Sequence, residues 1–436
     1  MATPQTQTTA EFDAAETAFL SGRGLLFVTG RAGTGKSTLL RHLRQSNALK
    51  AKRRNLAVLA PTGLAAVNVQ GQTVHSFFKL PPRQVDVRTI RAGPNAKLIR
   101  ALDCLIIDEV SMVRADLMDG IDWAMRLGRE RLREPFGGCQ VILFGDPHQL
   151  SPVIQREMIP HFEEKYGGIH FFTAPGLRDA DGELLELTQV FRQTERDFVD
   201  LLNAARGGSL AKEHYDMLNA RLLSLEEARS RPDIVILTTT NQMAQDVNAQ
   251  ALDQLRGKLV PIEATVSGHF DESAFPTEKT LHLKVGAKVV MVRNDPKGRW
   301  VNGTLGVIAN IKKGEVAVDI DGEIHDVEPV SWENTRYGVD AEGDEVTTST
   351  AGKFKQLPLR LAWAMTIHKA QGMTLKHVHL DLGRGSFAHG QTYVALSRCT
   401  SLGGLSLARP IRRNDLIFDP AALDYRRYFT SLAVAA

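Results

Sequence analysis

The stretch GRAGTGKST, at positions 30–38, has the pattern of a loop that holds nucleotide phosphates. It follows the apolar run LLFVTG (25–30), which is typical of a buried strand, and it opens KSTLLRHLRQ (36–45), whose leucines recur at helical spacing. A strand, a glycine-rich loop and a helix in this order form the context that a P-loop requires. The stretch therefore predicts an α/β domain in which backbone N–H groups and a helix N-terminus face the phosphates.

The residue types within the loop assign individual roles. Lys36 would reach the β and γ phosphates, and the hydroxyl of Ser37 would ligate Mg²⁺. The predicted nucleotide-binding residues of the loop are Gly30, Gly33, Thr34, Gly35, Lys36, Ser37 and Thr38.

Two further strand-like runs carry groups that nucleotide hydrolysis needs. DCLIIDEVSM (103–112) places Asp108 where it can hold the Mg²⁺ shell and Glu109 where it can polarise the attacking water. CQVILFGDPHQLSPV (139–153) adds Gln149, which could sense the γ phosphate or the water. The candidate hydrolase residues are therefore Lys36, Ser37, Asp108, Glu109 and Gln149.

Alternation of strands and helices continues after residue 185 and predicts a second α/β half. ELLELTQVFRQ (183–193) ends near Arg192, and the helical run QTYVALSRCTS (391–401) carries Arg398. Phosphoryl transfer needs positive charge at the γ phosphate, and an arginine finger is worth about 10³–10⁵ in rate. If a second half supplies these arginines, nucleotide hydrolysis depends on closure of the two halves around the nucleotide. Coupling of hydrolysis to domain closure is typical of motor proteins.

A stretch of different character interrupts the second half. Residues 265–355 contain short alternating runs such as GAKVVMVRND and EVAVDI, with turns at KKGE and DGE that predict hairpins. We interpret the part after residue 295 as a small β-barrel, for which a structural role and a nucleic-acid-guiding role both stay open.

The whole chain has 436 residues, which predicts two or more domains. Its net charge of 53 − 50 = +3 excludes neither nucleic acid nor small acidic molecules as partners, because local patches bind phosphates. The sequence shows no apolar run of membrane-spanning length and no signal peptide, and its three cysteines lack metal-site spacing. These observations predict a cytoplasmic protein without membrane contact.

Several segments in a fixed order resemble the motifs of superfamily-one helicases, and most closely those of the PIF family of DNA helicases. The matching segments are GRAGTGKST, APTGLAAVNVQGQTVHSFF (60–78), DEVSM (108–112), GDPHQLSPV (145–153), LTQVFRQ (187–193), WVNGTLGVI (300–308), TIHKAQGMTL (366–375) and YVALSRCTSLGGL (393–405). LMDGIDWAMRLGRERLREPFGGCQ (117–140) is similar to the signature that separates this family from its relatives. One departure is that no Gln lies between Ala10 and Lys36, where the family usually has one that reads the adenine.

The resemblance implies an ATP- and Mg²⁺-dependent motor that moves 5′ to 3′ on single-stranded DNA. It implies an α/β fold of two RecA-like domains with parallel sheets. The implied bounds are 1–185 with a short insertion at 77–97, 186–294 with 356–436, and an SH3-like barrel at 295–355. The implied partners are single-stranded DNA and single-strand/duplex junctions, with G-quadruplexes and RNA–DNA hybrids as further candidates. The motor would be a monomer or would pair on DNA.

The same resemblance implies site residues beyond the loop. Gly372 joins the nucleotide-binding set, and the DNA-binding candidates are Thr62, Gly63, His75, Ser76, Phe77, Asn302, Gly303, His368 and Lys369. A motor that ignores sequence should grip phosphates and stack bases, so we expect Phe77 to stack on a base; its alternative is a place in the core.

Three other interpretations stay open. A RecD- or Dda-like helicase of the same superfamily shares the motifs but lacks the FGG-Q signature. A nucleotide-gated switch would clamp DNA without unwinding it. A small-molecule P-loop kinase would have no need of Arg398 or of TIHKAQG far downstream.

Overall fold

The structure is a computed structural model that describes residues 9–46, 54–193, 195–312 and 314–432, with the side chain of Arg156 left aside. Its strands are β1 Leu25–Gly30, β2 Leu56–Ala60, β3 Gln72–Thr73, β4 Cys104–Ile107, β5 Gln140–Phe144, β6 Glu183–Leu187, β7 Ile234–Thr238, β8 Val260–Glu263, β9 Thr265–Gly268, β10 Thr280–Leu283, β11 Lys288–Met291, β12 Leu305–Lys312, β13 Glu315–Ile320, β14 Glu323–Val327, β15 Val330–Val339, β16 Val346–Gln356, β17 Leu359–Leu361, β18 Ala364–Thr366, β19 His377–Asp381, β20 Leu405–Leu407 and β21 Thr430–Ser431.

The described part of the chain also contains helices. They are α1 Ala10–Ser21, α2 Lys36–Gln45, α3 Gly63–Asn68, α4 Val74–Phe78, α5 Ala96–Ala101, α6 Ala115–Arg129, α7 Ile159–Tyr166, α8 Pro175–Asp179, α9 Arg196–Arg206, α10 Lys212–Asn219, α11 Leu225–Ser230, α12 Asn241–Gln254, α13 Gln391–Leu396 and α14 Pro420–Leu423.

The first half of the chain is built on a parallel sheet in the order β21-β6-β1-β5-β4-β2-β3. Its central strands β1, β4 and β5 are buried along their whole length, as expected for a parallel sheet with helices on both faces. The carboxyl ends of these three strands meet at one edge. The phosphate loop, the Asp108–Glu109 pair and the segment that begins at Gly145 therefore emerge side by side.

A second parallel sheet, in the order β18-β7-β19-β20, forms the other half. Helix α13 ends at Leu396, so Arg398 follows it rather than lying on it as expected; the helix packs with α9 and the strands of this sheet around one apolar core. The expected α/β architecture with two parallel sheets is present.

The β-rich stretch consists of antiparallel strands. Its main sheet has the order β14-β13-β12-β11-β17, and β15, β16 and β9 form a separate three-stranded sheet. The main sheet runs from Lys288 to Leu361, so it extends beyond the expected bounds 295–355 at both ends. An SH3-like closure of these strands stays a prediction.

The long hairpin β15–β16 reaches back to the first half. The N–H of Tyr337 donates to Gln72 Oε1 at 3.1 Å, and Asn55 Nδ2 donates to the carbonyl of Asp344 at 2.6 Å. The ring of Tyr337 joins the apolar core of the first half. The hairpin therefore ties the β-rich unit to the sheet that carries the phosphate loop.

The end of the chain departs from the expected domain bounds. The sequence predicts that residues 356–436 belong to the second half, but β21 pairs with β6 at the edge of the first sheet. The cause is aromatic packing: the ring of Phe429 lies 5.1 Å from that of Phe27, and Tyr425 packs edge-on against the same ring. The expected insertion at 77–97 contains only a short 3₁₀ turn at Val87–Thr89 between α4 and α5. Across the described ranges, no helix combines the length and apolar character needed to cross a bilayer.

Candidate functional site

The phosphate loop joins β1 to α2 with its backbone turned inward. The ammonium group of Lys36 donates to the carbonyls of Gly30, at 2.5 Å, and Arg31, at 3.0 Å. Gly33 has a φ of 85°, and a Cβ there would lie 2.6 Å from the Cβ of Arg192. Glycine is therefore required at this position both for its left-handed backbone and for the close approach of the arginine segment.

Two adjacent carboxyl groups follow β4. Glu109 adopts a φ of 51°, a strained left-handed conformation that recurs at functional sites. Burial, reinforced by the negative charge of Glu109, raises the pKa of Asp108 to about 7. Burial also raises the pKa of Glu109, although Lys36 and Arg398 oppose this shift. The pair concentrates buried negative charge, an environment that favours binding of a cation.

A buried ion pair holds the segment that follows β5. Arg206 Nη2 lies 3.0 Å from Asp146 Oδ1, and Gln149 Nε2 donates to Asp146 Oδ2 at 3.2 Å. Burial alone would raise the pKa of Asp146, but the charges of Arg206 and Lys36 outweigh burial and hold the pKa below its ordinary value. Asp146 therefore stays ionised and orients Gln149 beside the cleft.

Two arginines from the sequence prediction meet near the loop. Arg398 donates from Nε to the carbonyl of Val394 at 2.9 Å and from Nη2 to Ser397 Oγ at 2.8 Å. Arg192 Nη1 donates to the carbonyl of Ser397 at 3.2 Å. Burial, with the neighbouring charge of Arg192, lowers the pKa of Arg398 to about 9. Both guanidinium groups bind neutral oxygens here, so their charge remains available to an anion in the cleft.

A cleft of about 850 Å³ connects these groups. The predicted residues that line it are Gly33, Thr34, Gly35, Lys36, Ser37, Thr38, Glu109, Gln149, Arg192, Gly372 and Arg398. Gly30 and Asp108 lie outside this lining: Gly30 accepts the Lys36 hydrogen bond, and only 8% of Asp108 is exposed.

Sequence reasoning missed residues that connect the two halves at this cleft. Gln371 Nε2, next to the predicted Gly372, donates to Glu109 Oε2 at 3.1 Å. Tyr393 Oη accepts the N–H of Ala32 in the phosphate loop at 3.4 Å. Both residues lie inside segments that resemble helicase motifs, and a polar side chain in such a segment was the only sequence feature that could have marked them as functional. Nothing in the sequence alone indicated which opposite residue each one meets.

A second cleft, of about 670 Å³, opens between the two halves and the β-rich unit. Of the DNA-binding candidates, Thr62, Asn302, His368 and Lys369 line it. Two exposed apolar side chains also line it, Val153 at 80% and Phe387 at 58% exposure. Sequence reasoning missed both. An exposed phenylalanine beside cationic and amide groups is the type of surface on which nucleic-acid bases stack.

The remaining DNA-binding candidates lie elsewhere. Phe77 was expected to stack on a base, but it is fully buried in α4, where its ring packs against Phe78 at 4.8 Å and against Tyr337 at 6.0 Å. The prediction for Phe77 is therefore wrong, because the segment is helical and turns both phenylalanines into the core. His75 and Ser76 lie on the same short helix, outside the lining of the second cleft.

Gly63 and Gly303, the two glycines among the DNA-binding candidates, allow neighbouring segments to pack closely against the backbone. A Cβ at Gly63 would lie 2.4 Å from the Cβ of Ala274, and one at Gly303 would lie 2.8 Å from the carbonyl oxygen of Thr374. Both positions lie at the margin of the second cleft, beside the lining residues Thr62 and Asn302.

Comparison with known proteins agrees with this arrangement. A family model described as "PIF1-like helicase" matches residues 5–215, and one described as "DNA helicase Pif1, 2B domain" matches residues 271–311. The ATP-dependent DNA helicase Pif1 of Bdellovibrio bacteriovorus is 32% identical over 419 residues, which cover 93% of this chain and 89% of that protein. The chain belongs to the PIF1-like helicase family.

Longer relatives match over the same region. The human ATP-dependent DNA helicase PIF1 is 35% identical over 418 residues, or 93% of this chain and 60% of that protein. The chain thus spans about 60% of the length of the mammalian PIF1 relatives that it matches.

Solved structures of Pif1 from Bacteroides sp share the fold. The unliganded protein is 33% identical, with 97% of each chain covered and a TM-score of 0.87, and its complex with ADP-AlF4 also gives 0.87. The ssDNA-bound form of the Bacteroides protein, with the same coverage, gives 0.67. The two parallel-sheet halves are therefore RecA-like domains, as the sequence resemblance implied.

Proposed function

We propose that this PIF1-like chain is an ATP-dependent DNA helicase that moves 5′ to 3′ on single-stranded DNA. We call the 850 Å³ cleft beside the phosphate loop the nucleotide cleft. One observation carries the proposal: Glu109 and Gln371 line both this cleft and the second cleft, and they are hydrogen-bonded to each other. A change in either cleft therefore reaches the other through a single contact between the two RecA-like domains.

In the nucleotide cleft, Lys36 would neutralise phosphate charge while the loop amides hold the phosphate oxygens. Glu109 would orient and deprotonate the attacking water, with Gln149 beside it, and Arg192 and Arg398 would stabilise the charge that develops at the γ phosphate. These roles follow from the side chains that converge on one cleft from both domains.

Mg²⁺ fits the oxygen donors beside the loop. The Ser37 hydroxyl and the Asp108 carboxylate are hard ligands of the kind that Mg²⁺ prefers, and the crowded buried negative charge at Asp108 and Glu109 favours a cation. When bound, the ion would neutralise charge on the β and γ phosphates.

In the second cleft, Thr62, Asn302, His368 and Lys369 would contact the sugar–phosphate backbone, and Phe387 would supply the stacking surface first expected of Phe77. Buried Arg360 lines the same cleft; its Nη2 donates to the carbonyl of Phe275 at 3.3 Å, and its Nε has no hydrogen-bond partner. The guanidinium donates to a neutral oxygen here, so an incoming phosphate is a fitting partner for its charge.

Solved structures of related proteins support these assignments. Bacteroides Pif1 was solved with ADP-AlF4 and, separately, bound to ssDNA. Another structure, 32% identical with a TM-score of 0.65, describes unwinding at forked dsDNA by two coordinating Pif1 helicases. For this chain we propose ATP as the fuel, single-stranded DNA and fork junctions as substrates, and pairing of two copies on a fork.

The coupling follows from the contacts between the domains. Closure on the nucleotide would draw Arg192 and Arg398 onto the γ phosphate and shift Gln371, which is bonded to Glu109. Hydrolysis would release the domains again, and the alternating grip on the strand would give movement. Separating DNA costs about 1.4 kcal/mol per base-pair step in lost stacking, which a nucleotide-driven stroke can supply.

ATPase assays with and without single-stranded DNA test the proposal. We expect strong stimulation by DNA in the parent protein and loss of turnover in Lys36→Ala. The matched control is Lys258→Ala, because Lys258 is exposed and lies outside the lining of both clefts. Turnover that persists in Lys36→Ala, or an ATPase indifferent to DNA, would contradict the proposed motor.

A further inference from the structure

The nucleotide cleft has two chemically different ends. Its charged lining residues, Lys36, Glu109, Arg192 and Arg398, converge on the phosphate loop. Phenylalanines form the other end: a Cβ on Gly35 would lie 3.4 Å from Phe12 Cζ and 3.9 Å from Phe191 Cε2. Gly35 immediately precedes α2, so both rings stand next to the loop, where they can meet the base of a nucleotide held by its phosphates.

The two rings are held differently. Phe12 is 3% exposed and packs in an apolar core with residues of α2 and β6, so its ring is a fixed wall. Phe191 is 48% exposed, and its backbone N–H donates to the carbonyl of Gly33 at 3.0 Å. This bond positions the residue on the phosphate loop while half of the side chain stays open to a ligand.

The polar groups near this end are already engaged. Thr34 Oγ1 donates to the carbonyl of Arg31 at 2.9 Å, and Glu11, beside Phe12, accepts a hydrogen bond from Thr188 Oγ1 at 2.7 Å. Within the described part of the lining, the wall at the base end is therefore aromatic, and it presents no free carboxamide to the edge of a base.

A site of this kind discriminates weakly between bases. Every base has a π-face, so stacking tolerates any of them. A pocket that hydrogen-bonds its ligand can reject an analogue by about 10⁴–10⁵, whereas apolar contacts achieve only about 10–200-fold.

We infer that Phe12 and Phe191 hold the base by stacking and apolar contact without reading its edge, so that the chain hydrolyses nucleoside triphosphates of all four bases. This inference rests on the proposed ATPase motor and extends its substrate class beyond ATP. The purine triphosphates, with their larger faces, should be used somewhat better than the pyrimidine ones.

Steady-state kinetics with ATP, GTP, CTP and UTP test this directly, on the full chain with saturating single-stranded DNA. We expect the four kcat/KM values to fall within about 10-fold of one another, well below the discrimination of an edge-reading site. A preference for ATP above about 200-fold over the other three would overturn the inference. DNA-stimulated hydrolysis of ATP alone would leave the motor intact, whereas no DNA stimulation with any nucleotide would sink the motor itself.

Variants of the two rings separate stacking from edge reading. Phe191→Ala should raise KM for all four nucleotides by a common factor of about 5–150, the equivalent of one lost stacking contact. Phe12→Gln adds a carboxamide to the wall and should increase the spread among the four kcat/KM values, while Phe12→Leu, the apolar control, should not. Equal spreads in Phe12→Gln and Phe12→Leu would contradict the assignment of Phe12.

One further variant covers the segment outside the described residues. Gln7 lies there, and Gln7→Ala should leave the ratios among the four nucleotides unchanged. If the parent strongly preferred ATP and Gln7→Ala abolished that preference, the base would be read by Gln7, and the inference would be wrong.

Discussion

The phenolic oxygen of Tyr337 accepts a hydrogen bond from the backbone N–H of Val58 at 3.0 Å, which joins the β15–β16 hairpin to β2 of the first sheet. Both residues are buried, at 6% and 0% exposure. The overall arrangement is closer to the unliganded Bacteroides relative, at a TM-score of 0.87, than to the ssDNA-bound one, at 0.67. The Tyr337–Val58 contact therefore occurs in an overall arrangement nearer to that of the unliganded relative.

Tyr337→Phe removes this hydrogen bond while keeping the ring in the core. If the contact opens when DNA binds, its loss of about 1 kcal/mol favours the DNA-binding arrangement. We expect single-stranded DNA to bind up to about fivefold more tightly, measured by fluorescence anisotropy. Weaker binding would show instead that the contact persists in the complex.

Phe387 is exposed in the proposed DNA cleft, whereas Phe77 is buried in the core. Truncation of Phe387 should therefore change DNA affinity, and truncation of Phe77 should change folding stability. Phe387→Ala should weaken binding of single-stranded DNA by about 1–3 kcal/mol with little change in thermal stability, and Phe387→Tyr should restore it. Phe77→Ala should lower the free energy of unfolding by about 3–5 kcal/mol, because the side chain is fully buried. Titrations and denaturant melts on both variants check this; an unchanged affinity in Phe387→Ala would remove it from the DNA surface.

Arg398→Lys tests the arginine finger without removing the positive charge. A lysine cannot reproduce the forked guanidinium contacts, so kcat should fall by about 10³-fold while nucleotide affinity changes little. The control is Arg256→Lys, at an exposed position outside both clefts. DNA-stimulated ATPase and nucleotide-binding titrations give the two quantities, and an unaltered kcat would exclude the finger role.

The ion pair between Arg206 and Asp146 is a stability determinant behind the cleft. Arg206→Ala would leave the buried Asp146 carboxylate without its partner, at a cost of about 3–5 kcal/mol in unfolding free energy. Arg206→Ala combined with Asp146→Ala should recover part of this loss, because the unpaired charge disappears. A double variant that is as unstable as the sum of the two single variants would show that the pair is not coupled.

Local patterns predicted which side chains converge beside the phosphate loop, because these residues follow the carboxyl ends of neighbouring parallel strands. Lys36 after β1, Glu109 after β4 and Gln149 after β5 converge for a topological reason that strand order alone provides. Arg192 follows β6 of the first sheet rather than lying in the second half as expected, whereas Arg398 reaches the same cleft through packing of the second domain.

Contacts between segments that lie far apart in the sequence could not be predicted from local sequence patterns. Phe77 looked available for stacking because the β15–β16 hairpin that covers it lies some 260 residues further along, and no local pattern shows that burial. The return of β21 to the first sheet likewise depends on aromatic packing at Phe27. Phe387 was missed because a lone phenylalanine in a glycine-rich loop has no pattern to mark it as exposed.

The most direct test of the proposed motor is ATP-dependent unwinding of two partial duplexes, one with a 5′ single-stranded tail and one with a 3′ tail. We predict opening of the 5′-tailed duplex only, and no opening of either duplex by Lys36→Ala. Opening of the 3′-tailed duplex alone would contradict the proposed polarity. DNA-stimulated ATPase without opening of either duplex would contradict the helicase and identify a nucleotide-gated DNA clamp.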